Sequence, residues 1–305
     1  MLSRWGTPAA LVLIVGAFAA LSPDGFARGA NLVNVTQQMA LLAVVAVGAT
    51  LVMAVGEFDL SVSAMASWAG VAGVWAMQSG WPWGLAAAAV LGSCAAIGVA
   101  SGILVARFAV PSFVATLAVG TMLGGVTFWA SGGATLFGGL PDGFRALART
   151  RVAGVPALTL WMLGAAGAAW LVLERLEIGR RMRAVGGNAR AALLAGVPVR
   201  RDVAAAFALA AVLAGLAGLL LAARLGSAHP TGGGGFLLQA YAAVFVGQTA
   251  FRDGDANVAG TLVGAAIIAV VANGLTIQGV PAYLQDVLTG AIIIGAVLLR
   301  RAARG

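Results

Sequence analysis

The sequence contains few charged side chains and few chemically reactive ones. Only 9% of its 305 residues are charged, whereas about 25% of the residues in a soluble globular domain carry a charge. There is no lysine, one histidine and one cysteine. The single cysteine, Cys94, excludes a disulfide framework or a cysteine-based metal site within one chain. The lack of lysine excludes a P-loop, because its GxxxxGK[ST] pattern requires that residue.

The patterns of hydrolytic enzymes are also missing. Neither GxSxG nor HExxH occurs in the chain. His229 lies among Gly and Pro residues that are typical of a loop, and we expect it to be a solvated loop residue rather than a ligand. The arginines are not gathered on a polar domain, which argues against nucleic-acid binding. We therefore expect no catalytic residue, no metal site, no cofactor and no nucleic-acid partner.

Apolar segments, by contrast, are abundant. Hydrophobic residues make up 61% of the chain, and a bilayer core needs about 20 helical residues per crossing. We predict an all-α fold, a polytopic membrane helix bundle of about ten transmembrane helices in one domain that covers residues 1–305. The predicted spans are 7–22, 38–56, 62–79, 82–106, 112–131, 157–174, 203–223, 236–250, 256–274 and 281–299. The breaks near 57–61 and 251–255 are too brief for free loops.

The first apolar segment has two interpretations. Arg4 precedes an apolar run that ends at Leu21, as in a secretory signal peptide. Because many more apolar segments follow, we favour a first helix that remains as a membrane anchor.

The arginines predict an orientation. Short cytoplasmic loops accumulate positive charge, and seven arginines lie in 175–202, three lie in the tail after residue 299, and Arg4 precedes the first span. Six predicted spans before 175–202 and four after it bring all three groups to one side. We predict that both termini are cytoplasmic, although the arginines of loop 132–156 then fall outside.

Two carboxylates between the second and third spans have two interpretations. Glu57 and Asp59 lie between apolar runs, where an unpaired charge costs about 2.5–3.5 kcal/mol near the middle of a membrane. Asp59 also precedes Leu-Ser-Val and an apolar run, which is typical of a helix N-cap. A helix-start role and a role in a transport pathway both remain open.

The segment 175–202 is polar and rich in arginine. Gly186-Gly187-Asn188 interrupts it, and the pattern predicts a short helix over 189–195 that stops at Gly196-Val197-Pro198. Such a helix could dock a soluble partner. Composition alone favours an ordinary positive-inside loop.

Glycine pairs at four-residue spacing predict close helix packing. Examples are Gly120/Gly124, Ala214/Gly218 and Gly260/Gly264, which allow backbones to approach in a membrane. The alternative is that glycine is simply common in membrane helices.

Four ordered motifs carry a family resemblance between about residues 39 and 299. They are Asp59-Leu-Ser-Val62, Pro111-Ser-Phe-Val-Ala-Thr-Leu117, the arginine-rich run 179–201 and Arg224-Leu-Gly-Ser-Ala-His-Pro-Thr231. Together they resemble the permease subunits of bacterial sugar-type ABC importers, the ribose/xylose/autoinducer-2 permease family, which is related to the branched-chain amino-acid permeases.

The resemblance implies a non-catalytic subunit of the bacterial inner membrane. Two such permeases, identical or different, would line a path for a sugar or sugar-like solute. Two ABC ATPase subunits would bind their cytoplasmic faces, and a periplasmic solute-binding protein would deliver the solute. Residues 184–197 would carry a coupling helix that contacts the ATPase.

The expected site residues follow from this assignment. The docking residues are Ala184, Val185, Gly186, Gly187, Asn188, Ala191, Ala192, Leu193 and Gly196. The candidates for lining the path are Glu57, Asp59, Ser61, Thr116, Gln248 and Asn273.

Some positions depart from the family pattern, and they leave the solute open. Gly56-Glu-Phe-Asp59 stands where relatives usually carry Gly-Gly-Ile-Asp, and Gly247-Gln-Thr249 replaces a Gly-Gly-Thr pattern. Leu237 and Gln239 stand where relatives have acidic residues.

Two segments of the sequence resemble each other, which suggests an internal repeat. Pro111-Ser-Phe-Val with Gly120 is matched by Pro281-Ala-Tyr-Leu with Gly290, as an inverted repeat of five and five helices would require. A proline at a helix start is common enough to explain the match.

Two other functions compete with the importer assignment. An ion-gradient-coupled secondary transporter would use Glu57 and Asp59 as its intramembrane carboxylates. A membrane-embedded enzyme or scaffold is disfavoured by the lack of a nucleophile and base.

Overall fold

The chain folds into a bundle of helices. The computed structural model describes residues 2–251 and 254–302. Its helices are α1 (Leu2–Leu21), α2 (Gly29–Ala54), α3 (Val62–Gln78), α4 (Trp83–Phe108), α5 (Ser112–Ser131), α6 (Asp142–Arg149), α7 (Ala157–Trp170), α8 (Glu177–Gly187), α9 (Ala189–Leu194), α10 (Val199–Leu225), α11 (Phe236–Gln248), α12 (Val258–Ile277) and α13 (Ala282–Ala302). One π-helical turn, Leu171–Arg175, continues α7.

Short strands connect some of the loops. The strands are β1 (Leu136–Phe137), β2 (Arg151–Val152), β3 (Val155–Pro156) and β4 (Ser227–Ala228). β1 pairs antiparallel with β4, and β2 pairs antiparallel with β3. Apart from these pairs, the regular structure of the described residues is helical, which confirms the predicted all-α class.

Each of the ten predicted spans falls on a helix. Within the described residues, six helices are long and apolar enough to cross a membrane: Gly29–Ala54, Trp83–Phe108, Ser112–Ser131, Ala157–Arg175, Val199–Leu225 and Val258–Ile277. Gly6–Leu21 and α11 are shorter apolar helices, and α3 has 17 residues. The polytopic character is therefore confirmed, while the number of ten crossings stays a prediction.

The helices α2 and α10 form the centre of the bundle. The apolar segment of α2 is 78% buried and that of α10 is 61% buried, whereas the values for α4 and α5 are 33% and 28%. α2 contacts α7, α10, α11 and α12, and α10 also contacts α3 and α4. A helix that is apolar all round is expected to be enclosed by other helices.

The first helix packs against the bundle. The ring of Phe18 covers Gly274 on α12, and the hydroxyl oxygens of Thr7 and Thr249 lie 2.7 Å apart. These contacts attach α1 to α12 and to the end of α11.

Several glycines allow neighbouring helices to approach closely. A Cβ atom added at Gly218 would collide with the carbonyl oxygen of Ala66, one at Gly264 with that of Ala243, and one at Gly260 with that of Gly247. By contrast, no heavy atom lies within 4 Å of the position of a Cβ at Gly124. The predicted role in close helix packing is therefore confirmed for Gly260, Gly264 and Gly218. Among the described residues, nothing packs closely against Gly124.

The loops gather at two ends of the bundle. At the β end, β1 pairs with β4, and the Gln78 side chain donates a hydrogen bond of 3.0 Å to the carbonyl oxygen of Phe137. At the α8 end, Gly186 of α8 contacts the backbone of Gly56, just after α2. The loops 132–156 and 226–235 therefore lie together, away from α8 and α9.

An arginine of the 132–156 loop has a structural role at the β end. Arg149 Nε donates a hydrogen bond of 3.0 Å to the carbonyl oxygen of Arg224, in the last turn of α10. A basic side chain at this position satisfies a carbonyl group that the helix itself leaves unpaired. This contact explains an arginine in a loop that the charge bias alone would keep neutral.

We expect Gly218→Ala to destabilise the bundle by about 1–3 kcal/mol, because overpacking of a close contact has costs of this size. Gly92→Ala is the matched control, since a Cβ at Gly92 of α4 meets nothing within 4 Å. The midpoint of thermal unfolding of the detergent-solubilised protein measures both. Equal midpoints for Gly218→Ala and the unmodified protein would contradict the close approach of α3 and α10.

Candidate functional site

A non-helical break separates α2 from α3 and lies inside the protein. Gly56 ends the turn after α2 with a φ of +83°, a value that glycine adopts without strain. Asp59 and Ser61 are then buried, with 2% and 1% exposure. Backbone polar groups that are buried in this way need hydrogen-bond partners within the protein.

Side chains from two other helices bind three consecutive N–H groups of this break. The N–H of Phe58 donates to Ser112 Oγ at 3.3 Å, that of Asp59 to Tyr241 Oη at 2.7 Å, and that of Leu60 to Thr116 Oγ1 at 3.0 Å. The Tyr241 hydroxyl in turn donates to the carbonyl oxygen of Asp59 at 3.1 Å. The break is thus held by α5 on one side and by α11 on the other.

The carboxylate of Asp59 binds the start of α3. Its Oδ1 accepts hydrogen bonds from the N–H of Ser61 at 2.8 Å and from the Ser61 hydroxyl at 2.5 Å. Ser61 is the N-cap residue of α3, so Asp59 acts on the helix start from two residues before the cap. These contacts agree with the helix-start interpretation of Asp59. The N-cap residue itself is Ser61, two residues after the predicted position.

Tyr241 is a site residue that the sequence interpretation missed. Its ring packs on Phe58 with centroids 5.6 Å apart and on Phe245 at 6.3 Å. The signal was available, because a tyrosine in an otherwise apolar helix usually needs a partner for its hydroxyl group. The chain has only two tyrosines, and this one lies in an apolar segment.

A cavity of about 570 Å³ opens beside the break at the α8 end. It lies between the end of α2, helix α8 and the connection from α11 to α12. Its lining residues are Met53, Ala54, Gly56, Glu57, Phe58, Arg183, Gly186, Gly187, Gln248, Gly254, Asp255 and Ala256. The structure therefore brings together Glu57 and Gln248, two of the predicted path residues.

Gln248 lines this cavity, and its side chain also contains a buried polar atom. Its side chain is 3% exposed, and among the described residues its Oε1 has no hydrogen-bond partner. The following connection is anchored by Asn257, whose Oδ1 accepts from the N–H of Gly260 at 2.6 Å and whose Nδ2 donates to the carbonyl oxygen of Ala250 at 3.3 Å. Within the part of the chain that the structure describes, the Gln248 side chain thus lies at the end of α11 with its Oε1 unpaired.

Asn273, another predicted path residue, lies away from the cavity. It forms a reciprocal pair of hydrogen bonds with Asn31, at 2.9 and 3.0 Å, which joins α12 to the first turn of α2. This position is near the opposite end of both helices from the cavity. Thr116 and Ser61 hold the break, as described above, rather than line the cavity.

Helix α8 is tied to the bundle by ion pairs. Arg181 Nε contacts the buried Asp202 of α10 at 3.1 Å, and its Nη1 contacts Glu177 at 3.0 Å. The hydrogen bond that Arg181 donates to Asp202 raises the pKa of the Arg181 guanidinium above its usual value. Arg183 forms a second ion pair with Glu174, in the π-helical turn after α7.

The close approach of α8 to α2 completes this attachment. A Cβ atom added at Gly186 would collide with the carbonyl oxygen of Ala54, whereas one at Gly187 would meet nothing within 4 Å. α8 is therefore fixed to α2 by backbone contact and to α7 and α10 by charge.

The predicted short helix exists as α9, Ala189–Leu194. Asn188 caps it, because its Oδ1 accepts a hydrogen bond of 2.9 Å from the N–H of Ala191. Gly196 has a φ of +82° and ends the segment as predicted.

The two sides of α8 and α9 differ in exposure. Of the predicted docking residues, Val185 and Ala192 are buried against the bundle, whereas Ala184, Gly187, Asn188, Ala191, Leu193 and Gly196 are exposed. Leu193 is 61% exposed and Leu194 is 84% exposed. Leu194 was not among the predicted residues, although an apolar pair at the tip of a polar segment could have indicated it.

Comparisons with known proteins relate the chain to membrane transport. Residues 31–297 match the family model described as branched-chain amino acid transport system / permease component. The ribose import permease protein RbsC of Escherichia coli (strain K12) is 36% identical over 296 residues, which cover 95% of this chain and 91% of that protein. RbsC of Bacillus subtilis (strain 168) is 34% identical over 302 residues, with coverage of 99% and 94%.

A further relative is named for a different sugar. The D-allose transport system permease protein AlsC of Escherichia coli (strain K12) is 32% identical over 301 residues, which cover 98% of this chain and 91% of that protein. No solved structure matches the chain significantly.

We expect Tyr241→Phe to destabilise the protein by about 1–3 kcal/mol, because the substitution leaves the buried N–H of Asp59 without an acceptor. Tyr283→Phe is the matched control, since the other tyrosine is 68% exposed. Thermal unfolding in detergent measures both variants. The role of Tyr241 is disproved if the two variants unfold at the same temperature.

Proposed function

The chain belongs to the family of branched-chain amino acid transport system permease components, and from this premise we propose that it is the permease subunit of an ATP-driven importer for a monosaccharide or sugar-like solute. Relatives named for ribose and D-allose import align over nearly the whole chain. The observation that carries the proposal is α9, a capped helix whose apolar tip projects from a segment tied to the bundle core.

The subunit itself is non-catalytic, and ATP is hydrolysed on partner subunits. The chain has no lysine for a P-loop. Two ATPase subunits bind the α8 end of a pair of permeases, and a solute-binding protein delivers the sugar at the β end. The importer lies in the bacterial inner membrane.

Ten crossings with both termini in the cytoplasm account for the two ends of the bundle. With this topology, 55–61, 175–202 and 249–257 share the cytoplasmic side, which agrees with the contact of Gly56 and Gly186. The loops 132–156 and 226–235 share the other side, which agrees with the pairing of β1 and β4.

An inverted repeat of five and five helices underlies this arrangement. Four of its five helix pairs equate α2, α3, α4 and α5 with α10, α11, α12 and α13. The packing supports the correspondence, because α3 contacts α5 as α11 contacts α13, α4 contacts α10 as α12 contacts α2, and α3 contacts α10 as α11 contacts α2. Pro111 and Pro281 directly precede the two equivalent fifth helices.

The second permease, identical or different, packs along α5. This helix is the least enclosed of the six apolar ones, at 28% buried. It exposes Leu117, Met122 and Trp129 together with the polar Thr121. Its other side binds the α2–α3 break through Ser112 and Thr116, so a path between two permeases would lie next to that break.

The movement of α9 reaches the membrane through α8. ATP-driven closure of the ATPase pair displaces α9, and α8 transmits the displacement to α7, to α10 and, at Gly186, to the end of α2. The α2–α3 break then shifts relative to α5 and α11, and alternating access follows.

The predicted path residues take different roles in this mechanism. Glu57 and Gln248 line the cavity at the α8 end. Asp59, Ser61 and Thr116 maintain the break, and Asn273 joins α2 to α12. An ion-coupled transporter is not favoured, because the Asp59 carboxylate already binds the start of α3 and the relatives are import permeases.

The test of the function is co-expression with the ATPase and the solute-binding protein, followed by uptake into proteoliposomes. We expect the ATPase to co-purify and uptake of the sugar to require ATP. Uptake that follows an imposed proton or sodium gradient without ATP would overturn the proposal.

We expect Leu193→Asp to weaken co-purification of the ATPase and to lower ATP-driven uptake by at least about five-fold, since an apolar anchor at an interface contributes roughly 1–3 kcal/mol. Insertion into the membrane should be unchanged. Leu225→Asp is the matched control for co-purification of the ATPase, because Leu225 is also 61% exposed but lies at the β end, away from α9. Ala192 is less suitable, because it is buried and a charge there would disturb the packing.

We expect Gly186→Ala to uncouple the importer, so that ATP hydrolysis continues while uptake per ATP falls several-fold. The added methyl group collides with the carbonyl oxygen of Ala54 and forces α8 away from α2. Gly187→Ala, one residue further, is the control with open space around its Cβ. The ratio of sugar transported to phosphate released measures coupling, and an unchanged ratio for Gly186→Ala would contradict transmission through this contact.

A further inference from the structure

Arg175 ends an apolar segment that faces lipid along much of its length. The segment Ala157–Arg175 is only 39% buried inside the protein. Its exposed side chains include Leu163, Trp170 and Leu171, and residues seven or eight positions apart lie on one face of a helix. This face therefore leads through the bilayer to Arg175. A charged residue that ends an apolar span lies at the level of the lipid head groups.

A π-helical turn brings Arg175 onto the ring of Trp170. The N–H of Leu176 donates to the carbonyl oxygen of Leu171 at 3.1 Å, five residues earlier, which is the hydrogen-bond pattern of a π-helix. In an α-helix, side chains five residues apart point about 140° away from each other, whereas the wider π turn brings them closer to one side. The Arg175 Cζ atom accordingly lies 5.1 Å from the centroid of the Trp170 ring, a distance typical of a cation–π contact.

The nearby carboxylates do not neutralise the charge of Arg175. Glu174 pairs with Arg183, and Glu177 pairs with Arg181 at 3.0 Å. Within the described part of the chain, Arg175 itself forms no ion pair. One face of its guanidinium covers the indole ring, while the N–H groups lie in the plane of the group and point outward from its edge. These N–H groups are therefore available to an anionic acceptor.

The surroundings of Arg175 favour a lipid phosphate over a soluble anion. Arginine binds phosphate oxygens through two parallel N–H groups. The side chains of Leu171 and Leu176, which flank this site along the chain, are apolar and exposed. They suit the acyl chains of a lipid, which a soluble anion lacks. Tryptophan is common at this depth of a bilayer, and the indole N–H of Trp170 is a further donor to a head group.

We propose that Arg175, held over Trp170 by the π-helical turn, binds the phosphate group of an anionic phospholipid at the α8 end of the bundle. The proposal depends on the membrane location of the chain and not on the solute or the ATPase of the importer. The site lies where α7 meets α8, and the two are in close contact, because a Cβ atom added at Gly179 would collide with the carbonyl oxygen of Val172. A lipid bound to Arg175 therefore contacts the connection between α7 and α8.

The test is a lipid titration of the detergent-solubilised permease, read by native mass spectrometry. The probes are phosphatidylglycerol, which is anionic, and phosphatidylcholine, whose phosphate is balanced by a positive charge. We expect the tightest site to prefer phosphatidylglycerol, and we expect Arg175→Gln to weaken phosphatidylglycerol binding there by about ten-fold. Trp170→Leu, which removes the supporting ring but keeps an apolar side chain, should weaken it several-fold. Arg175→Lys keeps the charge and should restore part of the affinity.

Arg151→Gln is the matched control, because Arg151 is also exposed but lies in β2 at the β end. It removes the same charge and should leave the tightest site unchanged. Thermal unfolding in detergent should give Arg175→Gln and the unmodified protein similar midpoints without added lipid, because Arg175 is exposed. A loss of lipid binding then reports on the site rather than on folding.

Three outcomes would overturn the proposal. The first is equal affinity of the unmodified permease for the two lipids, or equal binding of phosphatidylglycerol by Arg175→Gln and Arg151→Gln. The second is displacement of phosphatidylglycerol by an equal concentration of inorganic phosphate, which would indicate a site for a free anion. The third is a variant Arg175→Gln that keeps its lipid but no longer co-purifies with the ATPase, which would place Arg175 in a protein interface.

Discussion

The non-helical break between α2 and α3 must satisfy its buried backbone groups within the protein, because a buried N–H group without an acceptor costs about 1–3 kcal/mol. Three side chains from α5 and α11 meet this requirement, and each binds one N–H group of the break. The positions of both helices are therefore fixed relative to the end of α2. A displacement of any one of these three elements breaks or transfers hydrogen bonds in the other two, so the break connects the centre of the bundle with α5 at its surface.

The hydrophobic effect does not drive helices together in lipid, so close backbone contact contributes to the stability of their packing. The contacts of Gly218, Gly260 and Gly264 with carbonyl groups of neighbouring helices leave no room for a methyl group. The exposed α5 has few contacts of this kind.

The helices could be predicted from the sequence, but their contacts could not. The length of an apolar run is set by the thickness of the bilayer, which is why each predicted span coincides with a helix. The same reasoning missed α6, an eight-residue helix at the β end, because a short polar helix has no such length requirement. It also missed the pairing of β1 with β4, since two-residue strands carry no period.

The residues of the candidate site could be selected from the sequence, but their contacts with one another could not be predicted. Asp59 was recognised because a carboxylate between apolar runs is unusual, but Tyr241 is 182 residues away along the chain and no local pattern links the two. Gln248 was selected for its polarity alone. In the structure, Gln248 shares a cavity with Glu57, whereas Asn273 pairs with Asn31. This difference depends on how α11 and α12 pack against α2, and no local sequence pattern encodes that packing.

In the proposed importer, the attachment of α8 to α2 suits what a coupling element must move. The apolar segment of α2 is 78% buried, whereas those of α4 and α5 are 33% and 28% buried. A force applied to a lipid-facing helix would displace lipid first, but a force applied at the end of α2 acts on α7, α10, α11 and α12, which surround it. Gly186 allows α8 to contact that end through backbone atoms, which bend less than a long side chain would.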